Sequence, residues 1–298
     1  MLHRYRSSGE FGALSLLYIP SLLAAGVGLA WPYAELASRS RSGTLNAILA
    51  VVFMACIFGL LWLGMRVGKC RNQWLAAAVG CAVAVAAAVA VHLWMYAART
   101  PTNASQSLLD FLQDRAARGW SFGKTRSKIP VKGDWAYACW ALEGVLTIVA
   151  GMGAALMVTE TPFCEECKVW ADKQLPEVSI PGLPEDVIGS IQRATSVEEI
   201  LAPSLRRLGV DQRRLCYGVQ VCPTCRQMGV LEVQIKHTTT KLSGKTEESC
   251  TDVHTNVLLE PWHLEAIEEL GQDVEAQLKV QKSDVAAVAE SVSRTDIA

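Results

Sequence analysis

Three stretches in the first half of the chain carry no formally charged residue: Phe11–Ala34, Ser42–Met65 and Asn72–Ala98, of 24, 24 and 27 residues. A helix needs about 20 apolar residues to cross a hydrocarbon layer of about 30 Å, so all three are long enough. A fourth stretch, Trp135–Thr159, is interrupted only by Glu143. The alternative, buried helices of a large soluble α-helical protein, fits less well, because soluble helices rarely stay apolar on every side for so long. The chain is therefore expected to hold four transmembrane helices at about 11–32, 44–65, 72–98 and 135–159, with a polar loop over 99–134.

The details of these segments suit a lipid environment. Pro20 and Pro32 fall in the first span, where proline is tolerated better than in soluble helices. The third span is built almost wholly of Ala and Val from Ala76 to Val91, and the fourth contains Gly144, Gly151 and Gly153; small residues let neighbouring helices approach closely. Trp31, Tyr33, Trp94, Tyr96, Trp135 and Tyr137 lie near span ends, where an interfacial aromatic belt is expected. Arg4, Arg6 and the Gly28-Leu29-Ala30 run give the first span some features of a cleaved signal, but its apolar length exceeds that of a signal h-region and favours an uncleaved anchor. In the polar loop, Ser107 and Asp110 are placed to cap a short interfacial helix ending near Arg118, with Gly119 as its stop. The basic segment from Lys124 to Lys132 suits a connector near lipid headgroups.

Charge divides the chain in two. The overall net charge is −1, yet residues 1–159 carry 14 Lys+Arg against 6 Asp+Glu, and residues 160–298 carry 14 against 23. With 51% apolar residues the chain is no disordered polymer. From Glu160 the sequence has the pattern of a small α+β domain over 160–282, followed by a flexible tail over 283–298. Pro184–Arg193 and Ser196–Leu208 suit short helices, the second opened by a Ser196…Glu199 capping box. Leu215–Val221, Gly229–Thr240 and Val253–Leu259 suit strands, with a turn at Leu242–Lys245. A helix should start near Pro261, with Ile267, Leu270, Val274 and Leu278 on one face.

Two CxxC pairs, Cys164-Glu165-Glu166-Cys167 and Cys222-Pro223-Thr224-Cys225, stand 54 residues apart in this region. Each pair can aim two thiolates at one ion from a tight turn, and two pairs complete a closed tetrahedral site of four soft ligands. The second pair lies between two strand-like runs, as at a hairpin tip. This pattern resembles a zinc ribbon with a helical insertion between its knuckles, and the whole chain resembles bacterial-type polytopic membrane proteins carrying such a domain. The resemblance implies a structural Zn²⁺ held by Cys164, Cys167, Cys222 and Cys225. Disulfides and a redox dithiol are the competing readings of the same cysteines. Cys216, Cys250, His237 and His254 are candidates for substitute ligands, although each also suits an ordinary strand position.

Glu143 is the second candidate, because an ionisable residue inside a span marks a function or a buried partner. His92 falls at a similar depth on the antiparallel third span, so a His92–Glu143 contact is expected. The spans contain no inverted repeat, and the chain has no Gly-rich phosphate loop, HExxH or GxSxG motif. The acidic second half argues against general nucleic-acid binding, with Arg206, Arg207, Arg213 and Arg214 as the one local basic patch.

Basic residues flank the spans on both sides, so they do not decide orientation. Cysteines do: Cys70, Cys164, Cys167, Cys216, Cys222, Cys225 and Cys250, which are all those outside the spans, fall on one side. Reducing compartments keep thiols free for metal. The expected product is a multi-pass protein of a bacterial inner or plasma membrane with both termini in the cytoplasm. Its partners would be the lipid bilayer and a protein docking on the cytoplasmic domain, and its role that of a non-enzymatic interaction or scaffold module. A membrane thiol–disulfide oxidoreductase, and a small transporter or channel with Glu143 in its pathway, are the alternatives.

Overall fold

A computed structural model describes residues 2–10, 12, 15–40, 42–99, 106–122, 129–182, 185–202, 213–240 and 246–295. The Leu242–Lys245 turn, Arg206, Arg207 and the basic residues Lys124, Arg126 and Lys128 lie outside them. The chain divides into two compact units, residues 7–160 and residues 1–6 together with 161–298. The first six residues, grouped with the spans on sequence grounds, thus belong with the C-terminal unit.

The first unit is built on four long helices, α1 (Ser15–Arg39), α2 (Gly43–Val67), α3 (Gln73–Arg99) and, after the loop, α5 (Asp134–Glu160), each long and apolar enough to cross a membrane. Their neighbours follow the cyclic order α1–α3–α5–α2, so α1 and α5 face each other diagonally, as do α2 and α3. Small residues set the spacing of α3 and α5. A Cβ on Gly80 would stand 2.8 Å from the carbonyl oxygen of Gly151, and one on Gly151 would stand 3.0 Å from the Cβ of Ala84. Large apolar side chains such as Leu17, Val51, Leu63, Val89 and Val149 point outward and are exposed. The bundle thus presents large apolar side chains outward as well as inward.

The loop between α3 and α5 folds as its capping residues indicate. Ser107 caps α4 (Leu108–Arg118), with Asp110 completing the reciprocal capping box, and α4 buries Phe111 and Ala116. Gly119 ends it at φ 58°, and a Cβ there would collide with the carbonyl oxygen of Val131, so only glycine fits. The hairpin of β1 (Trp120–Phe122) and β2 (Ile129–Val131) follows.

In the second unit, the short hairpin of β3 (Phe163–Cys164) and β4 (Val169–Trp170) precedes a five-stranded antiparallel sheet. Its backbone is β7 (Arg213–Val221), β8 (Gly229–Thr240) and β9 (Thr246–Leu259), and β5 (Lys173–Gln174) and β6 (Val178–Pro181) both pair with β7. Helices α6 (Glu185–Gln192), α7 (Val197–Leu201) and α8 (Pro261–Thr295) complete the unit. Ile180, Leu215, Leu231, Val233 and Val257 from the sheet meet Ile191, Ile200 and Ile267 from the helices in one core. Tyr217 is fully buried there, and its hydroxyl donates to the Ile200 carbonyl at 2.9 Å.

The helical insertion expected between the knuckles is only partly helical, since β4, β5 and β6 occupy its first stretch, and three further features depart from the sequence reading. First, β9 begins at Thr246 rather than Val253, because a polar, two-sided hairpin with Thr238–Thr240 extends the ladder where no apolar alternation marks it. Second, α8 continues to Thr295 in place of the expected flexible tail from 283. Ala286, Ala287 and Ala289 in that stretch have high helix propensity, which a reading based on apolar periodicity alone overlooks. Third, the chain start adds a rung to the sheet. Leu258 donates its N–H to the His3 carbonyl at 2.8 Å, Tyr5 donates its N–H to the Asn256 carbonyl at 2.7 Å, and Arg4 bridges Val257 in antiparallel fashion.

Candidate metal centre

The two CxxC pairs converge. Cys164 ends β3, Cys167 closes the turn into β4, and Cys222 and Cys225 occupy the turn between β7 and β8. The four sulfur atoms all lie within 4.8 Å of one another, and Cys164 Sγ is 3.8 Å from Cys225 Sγ. All four are free thiols. Such a cluster can hold one metal ion.

The backbone of the two turns is alike. The residue after each pair, Lys168 and Arg226, has φ 56°, a left-handed conformation uncommon for residues other than glycine. That kink folds the chain back over the sulfurs. In the second turn, Arg226 N–H donates to the Cys222 carbonyl at 3.2 Å and Gln227 N–H points at Cys225 Sγ at 3.4 Å. Edge-to-face packing of Phe163 and Trp170, with centroids 5.0 Å apart, braces the first turn, and the Phe163 N–H donates to the Tyr5 hydroxyl at 3.1 Å.

The surroundings shift three of the thiols. Hydrogen bonding with the Cys225 sulfur and burial push the Cys167 thiol up to about 12, and burial raises Cys164. Burial also works against ionisation of Cys222, yet backbone N–H groups of Cys225 and Thr224 outweigh it and bring that thiol down to about 7. A cation bound by the sulfurs would favour their ionised forms.

The proposed substitute ligands stay apart from this cluster. Cys216 Sγ donates to Ser179 Oγ, Cys250 Sγ to Gln234 Oε1, and His254 Nε2 meets the Ile191 carbonyl at 2.7 Å. They act as strand residues with local hydrogen bonds.

Glu143 sits elsewhere, in the helical unit, and its partner differs from the expected one. Tyr33 on α1 donates its hydroxyl to Glu143 Oε1 at 2.5 Å. His92 shares a cavity of about 40 Å³ with Glu143, but it packs edge-on against Trp140, with centroids 5.5 Å apart, and its Nδ1 is buried without a hydrogen-bond partner among the described residues. The two residues do reach the same cavity, as their matching depths require. The missing contact reflects helix rotation, which a count along each helix does not fix. Arg115 from α4 also lines this cavity, lies over the Trp140 ring at 5.7 Å and donates to Met95 Sδ.

Compared with known proteins, the chain matches no family model, no curated protein and no solved structure.

Proposed function

We propose that this chain is a multi-pass membrane protein whose C-terminal domain is held together by one structural Zn²⁺ on Cys164, Cys167, Cys222 and Cys225, and serves as a cytoplasmic docking or scaffold module. The observation that carries this reading is the convergence of four free thiols on one point. A Zn–S bond of about 2.3 Å in a tetrahedron requires sulfurs about 3.8 Å apart, and the Cys164–Cys225 separation of 3.8 Å agrees. A disulfide would bring two sulfurs to about 2.05 Å. A thiol–disulfide enzyme needs two reactive sulfurs, and the other two thiols then have no task.

A site closed by four protein thiolates leaves no position for water or substrate, so its contribution is folding free energy rather than catalysis. The ion would fix both turns to each other, joining the start of the domain to the β7–β8 hairpin. The apolar outer surface of the helical unit supports insertion in lipid. The pairing of residues 2–6 with β9 supports placing the N-terminus on the same side as the C-terminal domain.

Metal analysis of the purified full-length chain, combined with impermeant thiol labelling from each side of the membrane, tests the reading. One zinc per chain, with labelling of the exposed Cys250 only from the cytoplasmic side, is expected. Protein free of metal overturns the zinc site, and stoichiometric iron would reassign the ion.

The cavity shared by Glu143, His92 and Arg115 favours a second reading, a transporter with that carboxylate in its pathway. Loss of proteoliposome flux in a folded Glu143→Gln variant would support it, and wild-type protein that shows no flux would sink it.

A further inference from the structure

One end of the helical unit carries a second, larger cavity, of about 540 Å³, a volume in the range of small-ligand sites. It opens where α1 and α3 end and where α4 passes into β1. Arg39, Arg99, Arg115 and Arg118 line it, with Asp114 as the one carboxylate among its described lining residues. Two of these arginines are already neutralised: Arg39 pairs with Glu35, and Arg118 with Asp114 at 2.7 Å. Arg99 and Arg115 have no carboxylate within 4 Å among the described residues.

Arg99 spends one nitrogen on the Ser38 carbonyl at 3.0 Å and Ser38 Oγ at 3.3 Å, which anchors it at the rim with other donors free. Arg115 lies deeper, where one nitrogen donates to Met95 Sδ and the guanidinium lies over Trp140, while Glu143 in the adjoining cavity is already bonded to Tyr33. Asn46, also in the lining, has a buried amide oxygen without a hydrogen-bond partner among the described residues. Turned over, that amide presents N–H groups instead. The cavity thus holds an excess of positive charge and unspent donors on several different elements.

We infer that this vestibule binds a phosphate group, gripped by Arg99 and Arg115 and carried either by an anionic phospholipid or by a free solute. Guanidinium forks from separate elements suit an anion with several equivalent oxygens better than a single carboxylate. The cavity lies at the helix ends beside the amphipathic α4, which is where headgroup phosphates stand if the four helices span a bilayer. The lipid source rests on the membrane reading proposed above, whereas the free-phosphate source does not.

The test uses the full-length purified chain in two arms. Native mass spectrometry scores retention of phosphatidylglycerol against phosphatidylcholine, and thermal unfolding in micelles is followed with added inorganic phosphate against chloride at equal ionic strength. Preferential retention of phosphatidylglycerol, reduced about tenfold by Arg99→Gln or Arg115→Gln, is expected. The same charge change at the opposite end, Arg66→Gln, should leave retention unaltered. Stabilisation by phosphate without lipid preference, lost in Arg99→Gln, supports a free solute as the source. No preference in either arm, or equal losses in Arg66→Gln and Arg99→Gln, overturns the site. Arg99 is exposed, so its variant decides the matter if Arg115→Gln does not fold. Resistance of the native chain to alkaline carbonate extraction checks membrane insertion separately.

Discussion

Tyr33 and Glu143 join the two helices that face each other across the bundle diagonal, α1 and α5, through one hydrogen bond of 2.5 Å. Tyr33 is buried and stacks on Phe53, with centroids 4.8 Å apart. Trp31, two residues earlier, is exposed. Trp31 thus stays free for the aromatic belt expected from sequence, whereas Tyr33 turns inward and its hydroxyl serves the half-buried Glu143 carboxylate.

Removing the hydroxyl should be costly because a half-buried acceptor loses its donor. Tyr33→Phe is expected to destabilise the chain in detergent by about 1–3 kcal/mol. Glu143→Gln keeps an acceptor oxygen and should cost less. In a double-mutant cycle the two changes should couple by about 0.5–3 kcal/mol. Additive thermal shifts would show that the hydrogen bond does not link them.

The thiol cluster predicts a selective response to cysteine replacement. Cys222→Ser should release the metal and unfold the C-terminal unit, and a strong chelator should do the same to the wild type. Cys250→Ser, by contrast, should retain a full equivalent of metal, since Cys250 bonds Gln234 and lies outside the cluster. Metal content and far-ultraviolet circular dichroism read the two outcomes. Equal metal loss in both variants would refute the ligand set.

The close approach of α3 and α5 is testable by adding one methyl group. At Gly80 that carbon would press on the Gly151 backbone oxygen 2.8 Å away, and backbone cannot swing aside as a side chain can. Gly80→Ala should therefore cost about 1–3 kcal/mol, the usual range for overpacking. Gly153, on the same helix as Gly151, faces open space, and a Cβ added there would meet nothing within 4 Å. Gly153→Ala should be neutral or stabilising by up to about 1 kcal/mol. Thermal unfolding of the two variants side by side separates packing from helix propensity.

How much of this was legible in the sequence follows from the range of each interaction. Uncharged runs locate α1, α2, α3 and α5 because helix length and apolarity are local properties. The strand runs near Leu215 and Gly229 and the Ser107–Asp110 cap are local too, and they match β7, β8 and α4. The CxxC pairs marked the cluster because two such turns have few other uses together. Partner choice was not legible. Tyr33 rather than His92 at Glu143 depends on how each helix is rotated, and the vestibule arginines combine α1 with the later, successive α3 and α4. The bridge at the chain start is not legible for a related reason. Residues 2–6 are too short to show alternation, and their pairing with β9 is about 250 residues distant in sequence.

That last pairing gives a prediction of its own. Leu258 N–H donates to the His3 carbonyl, and Leu2 packs against the domain core. Deleting residues 2–6 therefore returns β9 to an unpaired edge and uncovers part of the core. The amide of Leu258 should then exchange with solvent at least about tenfold faster, because an edge N–H opens without breaking the sheet. Amides of β7, paired on both sides, should keep their protection. The Tyr5 hydroxyl also accepts from Phe163 N–H beside the first cysteine pair, so the truncated chain should release its metal faster to a competing chelator while still binding a full equivalent. Hydrogen exchange read by mass spectrometry, with metal release followed in parallel, checks both. Unchanged protection at Leu258 would mean that the chain start does not form this rung in solution.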